Sequence, residues 1–248
     1  MLDARDKSRG LMETQIDLRL LAATYTYENS PVVLLYGKTA EGQPYEVQCR
    51  GFEPYFHIAD PDPALLRHLS RDPEVIQVEP IRLTTSRGPE DCAQVVITKP
   101  WLTPSFRDRV KAWSKKKGRN EVLAADIPFA HRFIYDMDIG STVRITGTVA
   151  PINENLFSVR ASDFSDAPSF LPPLSILSFD IEASIKEGNI FVICTVFQDG
   201  EGNREVASFS KDDEADTLRE FAEYVYEKDP DIITGYNTSG YDWPKLDE

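Results

Sequence analysis

The sequence predicts a mixed α/β (α+β) chain in two parts, a β-rich N-terminal domain and a smaller domain ordered βββαβ. Three observations predict this. Residues 24–164 hold repeated runs of β-branched and aromatic residues, interrupted by only two helical patterns. The segment "SDAPSFLPP" (165–173) contains Pro168, Pro172 and Pro173 without periodicity, which marks a linker. Beyond it come three apolar runs, an amphipathic pattern and a fourth apolar run. The expected boundaries are a disordered N-terminus over 1–12, a first domain over 13–170 and a second over 171–248.

Composition narrows the class. Hydrophobic residues make up 41% and aromatics 10%, which suits a packed core and not a disordered chain. No apolar run approaches the roughly 18 residues a membrane helix needs. The polar opening "MLDARDKSRGLMETQ" is not a secretory signal. Cys49, Cys92 and Cys194 fit no zinc or redox spacing, which points to a reducing cytoplasm. The net charge of −14 argues against a general nucleic-acid coat protein, because phosphate neutralisation needs a basic surface. Clustered acid, however, is what metal sites require.

In the first domain, "TYTYENSPVVLLY" (24–36) and "YEVQCRGFEPYFHI" (45–58) read as strands around the turn "GKTAEGQP". "PALLRHLS" (63–70) reads as a short helix between prolines. Strands follow at "EVIQVEPIRLTT" (74–85) and "CAQVVITK" (92–99). The next helix has Thr103 as N-cap, Pro104 at its first position and Gly118 as C-cap, with Phe106, Val110 and Trp113 at helical spacing. "STVRITGTVAP" and "NLFSVRASDF" alternate as two more strands.

In the second domain, "LSILSFDI" (174–181), "NIFVICTVFQ" (189–198) and "REVASF" (204–209) are strands, the last two joined by the turn "DGEGN". A helix over 212–228 presents Leu218, Phe221, Ala222 and Val225 on one face. Asp229-Pro230 ends it, and "DIITGYN" is the returning strand. This order opens a ribonuclease-H-like fold and leaves it incomplete.

Chemistry concentrates in two short segments. In "LSFDIEAS", Asp180 and Glu182 stand two residues apart at the end of an apolar strand, so both project from one face. Ionised pairs at such a place are costly unless bound, and hard divalent cations favour oxygen ligands. In "GYNTSGYDWPKL", Asp242 follows a strand and a glycine turn and can approach the same place. Taken singly, a solvated strand end and a turn aspartate are the commoner explanations of the two segments. Together the two patterns are far more specific.

At these residues the chain resembles the first and second exonuclease motifs of family B DNA polymerases. "GFEPYFHI" and "DIPFAHRF" resemble the N-terminal domain of archaeal members. The likeness runs from about residue 20 to the end. It implies 3′–5′ proofreading on DNA by two-metal phosphodiester hydrolysis, with Mg²⁺ or Mn²⁺ about 3.5–4 Å apart. By resemblance, Asp180 and Glu182 hold the metal that generates the nucleophile, and Asp180 bridges to the second, supported by Asp242. Asn237 positions substrate or braces the loop, and Tyr241 packs near the frayed terminal base. The family's third motif and polymerase site match nothing within these 248 residues, so the chain alone is expected neither to polymerise nor to excise. The resemblance further implies a template strand and primer 3′ end as partners, and a sliding clamp for a full-length protein. An uncovered apolar sheet face would favour a homodimer of this chain.

Archaeal members also carry a pocket that captures template uracil. The matching positions are Tyr25, Pro54, Tyr55, Ile127, Pro128, Phe129 and Arg132, with Cys92 aligned to a small β-branched wall residue. Tight packing against C5 would reject the thymine methyl. Ordinary core packing accounts for the same residues without any ligand. The basic run "KKKGR" (115–119) is either a DNA contact or a set of lysines suited to a helix C-terminus. Two other classes stay open: a stand-alone ribonuclease-H-like nuclease, and a non-enzymatic module binding single-stranded or uracil-containing DNA.

Overall fold

The computed structural model describes residues 13–113, 119–184 and 188–247. The expected disordered N-terminus, the Gly118 cap and the lysines of "KKKGR" lie outside these residues. The chain forms two compact units, one ending at Leu171 and the other starting at Pro172.

The first unit contains, in order, β1 (Glu13–Tyr27), β2 (Pro31–Lys38), β3 (Pro44–Arg50), β4 (Tyr55–Ala59), α1 (Pro63–Leu69), β5 (Val75–Thr85) and β6 (Gly88–Ile97). A 3₁₀ turn (Pro100–Leu102) leads into α2 (Thr103–Trp113), then β7 (Glu121–Leu123), α3 (Phe129–Asp136), β8 (Thr142–Pro151) and β9 (Phe157–Asp166). β1, β2, β3, β9 and β8 close a barrel in that order, antiparallel throughout except for the β3–β9 pair. Alternate residues point inward, so Leu18, Val33, Leu35, Val47, Ile145 and Val159 fill the interior. The amphipathic helix α3 adds Phe129 and Phe133 to that core.

Two expected strands are each divided. Residues 24–36 form a hairpin, because Glu28-Asn29-Ser30 turns the chain and Pro31 opens a new strand opposite Tyr27. β1 itself begins at Glu13, where Ile16 and Leu18 alternate with polar residues; a bulge between Leu20 and Ala22 obscures the period. Residues 45–58 likewise become β3 and β4. Gly51 adopts φ +83° between them, a left-handed conformation glycine accepts readily. Helix α3 was not anticipated from the sequence.

β5, β6, β4 and β7 form an antiparallel sheet in that order. Helices α1 and α2 cover one face and bury Leu65, Leu69, Phe106 and Val110 against Phe56, Ile58, Val95 and Ile97. Asp62 caps α1 by accepting from the Ala64 N–H at 2.8 Å. Thr103 is the first residue of α2 and not its cap, because the 3₁₀ turn runs directly into the helix. Trp113 is exposed and stacks on His68 at 5.1 Å.

The second unit contains β10 (Ile176–Ala183), β11 (Ile190–Gln198), β12 (Arg204–Phe209), α4 (Glu214–Lys228), β13 (Ile232–Thr234) and α5 (Asp242–Leu246). The expected βββαβ order is therefore present, with strands arranged β12-β11-β10-β13 and β13 parallel to β10. Asp213 caps α4 through the Ala215 N–H, and Phe221 packs on Phe179 and Phe209. Leu218 and Val225 join that face, whereas Ala222 is exposed. Cys49 and Cys92 are buried, Cys194 is exposed, and all three are free. Among the described residues no helix is long and apolar enough to cross a membrane.

Candidate functional site

β10 is the central element of the acidic site. Leu177, Phe179 and Ile181 face the core under α4, which by period 2 turns Asp180 and Glu182 to the opposite, exposed face. The second acidic segment is anchored by the backbone. Gly235 follows β13 where a Cβ would collide with the Phe179 carbonyl and the Thr238 hydroxyl. Asn237 adopts φ +56°, and its carbonyl accepts the Gly240 and Tyr241 N–H groups at 2.9 and 3.0 Å. The Trp243 N–H then bonds the Thr238 carbonyl at 2.9 Å, and the Trp243 ring meets Phe179 at 5.5 Å.

These contacts carry Asp242 inward to 2% exposure beside the end of β10. Its pKa is raised, first by burial and then by the charge of Asp180, against the opposing pull of the neighbouring Thr238 hydroxyl and the N–H of Ile181. The Thr238 hydroxyl lies beside this carboxylate, yet neither it nor Oδ2 of Asp242 makes a hydrogen bond of ordinary geometry among the described residues. A buried carboxylate with an unsatisfied oxygen and a second carboxylate nearby is a donor set suited to a divalent cation. Three such acidic, histidine or cysteine groups do not converge anywhere among the described residues. Glu182 is thus on the shared strand face without joining a closed three-ligand cluster. Asn237 lines a depression of about 290 Å³ with Gly235, Thr238 and Trp243, and Tyr241 is exposed on the same loop.

The first unit holds a second candidate, a cavity of about 450 Å³. Seven predicted residues line it: Tyr25 from β1, Pro54 and Tyr55 at the start of β4, and Ile127, Pro128, Phe129 and Arg132 around the start of α3. Its walls are held by aromatic contacts, Tyr25 to Phe129 at 5.4 Å and Phe52 stacked on Phe129 at 5.4 Å. The Arg132 guanidinium lies 4.5 Å from the Tyr55 ring centroid and donates to the Ala124 carbonyl. Ala124 itself adopts φ +59°, a strained conformation for a residue with a Cβ. The Tyr55 hydroxyl donates to Asp136 at 2.5 Å. Burial lowers the pKa of neighbouring His57, and the charge of Arg132 adds to that effect.

Cys92 is not in this wall, which corrects the sequence alignment. It is buried on β6 opposite Ala59 and Ile81 and borders a different depression with Leu66 and Val78. The small β-branched residue that does line the cavity is Thr103, joined by Pro100, Trp101 and Arg107. Their signal was present in "KPWLTPSFR": the two prolines clamp a short turn that projects its side chains ahead of a helix.

Comparison with known proteins agrees with this architecture. A family model described as the exonuclease domain of DNA polymerase family B matches residues 121–248. DNA polymerase 2 of Aeropyrum pernix is 27% identical over 97% of this chain and 33% of its own length. A DNA polymerase of Archaeoglobus fulgidus is 27% identical over 92% of the chain and 29% of its own. The solved structure of the family B DNA polymerase from Pyrobaculum calidifontis superposes with a TM-score of 0.74 at 28% identity, covering 93% of this chain and 32% of that one. The chain thus spans about a third of the length of the curated relatives it matches. With the match covering the segment that carries Asp180, Glu182 and Asp242, the chain belongs to the family B DNA polymerases.

Proposed function

We propose that this chain supplies the first two carboxylate motifs of a 3′–5′ proofreading exonuclease acting on DNA. The observation that carries the reading is the buried Asp242 carboxylate, half unpartnered and within electrostatic reach of Asp180. A divalent cation such as Mg²⁺ or Mn²⁺ would supply an activated water and neutralise charge at the scissile phosphate. Asp180 and Asp242 would hold it, with Glu182 on the same strand face as a further ligand. Asn237 braces the loop that presents Asp242, and exposed Tyr241 offers a ring to a frayed base. The family's third exonuclease motif matches nothing within these 248 residues, and on that ground the chain by itself is expected not to excise. Incubation with a 3′-mismatched primer and Mg²⁺ or Mn²⁺ is expected to leave the primer intact; metal-dependent shortening would refute this.

The cavity in the first unit supports a second activity, capture of uracil from single-stranded template. The support is that Tyr25, Pro54, Tyr55, Ile127, Pro128, Phe129 and Arg132, distant in sequence, line one space of a size suited to a nucleoside. Apolar walls would clasp the ring, and close packing would exclude a C5 methyl. Anisotropy titrations should show tighter binding to a uracil-containing strand than to its thymine counterpart, and equal affinities would end the proposal. Finally, Val196 and Val206 oppose one another on the sheet face turned away from α4, and both are exposed. This favours a homodimer through that face, which sedimentation as a monomer at high concentration would refute.

A further inference from the structure

The cavity leaves one feature unused. Trp101 sits in the 3₁₀ turn between buried Pro100 and half-buried Leu102, held by the Leu102 N–H bonding the Lys99 carbonyl at 3.1 Å. Its ring lines the cavity and is nevertheless 51% exposed. The Tyr27 ring, itself 37% exposed, meets it in a T-shaped contact at 5.0 Å. Isolated exposed aromatics are common and need no explanation. A pair fixed on a short proline turn, continuous with a cavity wall and beside the Arg107 cation on that same wall, is different. Exposed aromatic faces next to a cation form the arrangement on which bases of a single strand stack. Stacking also needs no basic surface, which matters on a chain with a net charge of −14.

We propose that Trp101, buttressed by Tyr27, is a stacking platform for the base adjoining the one that enters the cavity. The occupant is single-stranded nucleic acid, and the proposal rests on the cavity reading given above. The cavity then holds one nucleotide while the platform holds its neighbour, so the site recognises a strand and not a free nucleotide.

The test uses the whole 248-residue chain and fluorescein-labelled oligodeoxynucleotides carrying one uracil, with each flanking nucleotide replaced in turn by an abasic tetrahydrofuran unit. Trp101→Ala is expected to weaken binding about tenfold, and Trp101→Phe to recover most of it. One of the two abasic strands should bind wild type about tenfold more weakly but cost Trp101→Ala nothing further, since platform and base act as a pair. Unchanged affinity in Trp101→Ala, or the same abasic penalty in both proteins, overturns the proposal. Matching strands with thymine separate the two readings. If wild type binds uracil and thymine strands equally but the Trp101–abasic coupling persists, uracil capture fails and the platform stands. Failure of wild type to bind any strand overturns both.

Discussion

Asp242 lies deep enough, and near enough to Asp180, for burial and that neighbouring charge together to raise its pKa. Two segments separated by three strands and a helix thus place their acids in one electrostatic site, the basis on which a divalent cation is proposed there. Mn²⁺ should raise the melting temperature of the wild-type chain, and Asp180→Asn or Asp242→Asn should weaken that response at least tenfold in metal concentration. Fluorimetric melting at increasing Mn²⁺ measures this. The sign without metal is also set. A carboxyl whose folded pKa lies above its unfolded value contributes stability at low pH that is lost as pH rises through the folded value. Asp242→Asn should remove that loss.

Gly235 is where the acidic loop leaves the sheet, and there is no room there for a Cβ between the Phe179 carbonyl and Thr238. Gly235→Ala is expected to destabilise the second unit by about 1–3 kcal/mol, because a backbone carbonyl cannot move aside as a side-chain end can. The same variant should lose most of its Mn²⁺ response, since Asn237 and Asp242 are carried by the displaced loop. Urea denaturation followed by circular dichroism, repeated with Mn²⁺, reads both effects.

Arg132 is 6% exposed, packed on Tyr55 and bonded to the Ala124 carbonyl. Arg132→Ala should cost about 1–3 kcal/mol through the carbonyl left without its donor and the lost ring contact. It should also weaken binding of a uracil-containing strand, because Tyr55 forms part of the cavity wall. A stability loss without any change in binding would mean that Arg132 only supports the barrel side of the cavity.

Asp17 and Arg144 oppose one another in the β1–β8 register and pair through two bonds of 2.7 and 2.8 Å. The Arg144 hydrogen bond holds the Asp17 pKa below its ordinary value. Such a group contributes stability at neutral pH that is lost as pH falls through the depressed value, below about pH 4. Both side chains are about a third exposed, so the contribution is about 0.2–1 kcal/mol. Asp17→Asn should flatten acid unfolding by that amount in a pH-melting series.

The second unit was read well because its signals are local. Apolar strands, an Asp-capped helix with Leu218, Phe221 and Val225 on one face, and a returning strand each declare themselves within about ten residues. The barrel was read poorly for an equally physical cause. β1 has mixed polarity and a bulge, and its pairing with β8 joins residues far apart in sequence. Helix α3 was missed because its aromatic run "FAHRFIYD" carries strand-like propensity, and its burial in the barrel overrides that preference. Cys92 was assigned to the wall by resemblance alone, and a resemblance does not fix which face of a strand a side chain takes, because one residue of slip reverses it.

The sequence by itself singled out the residues proposed to carry the chemistry: the i, i+2 carboxylates Asp180 and Glu182, the later Asp242, and the aromatic and proline clusters around Tyr55 and Phe129. Residue type and short spacing suffice for that, because strand alternation and turn chemistry act over a few bonds. Only the tertiary structure decided that Asp242 is buried and Asp180 exposed, that Thr103 lines the cavity and Cys92 does not, and that Trp101 stands at the cavity. Those outcomes depend on which distant backbones pack together. Burial, and the pKa shifts that follow from it, belong to the assembled neighbours and not to any one segment.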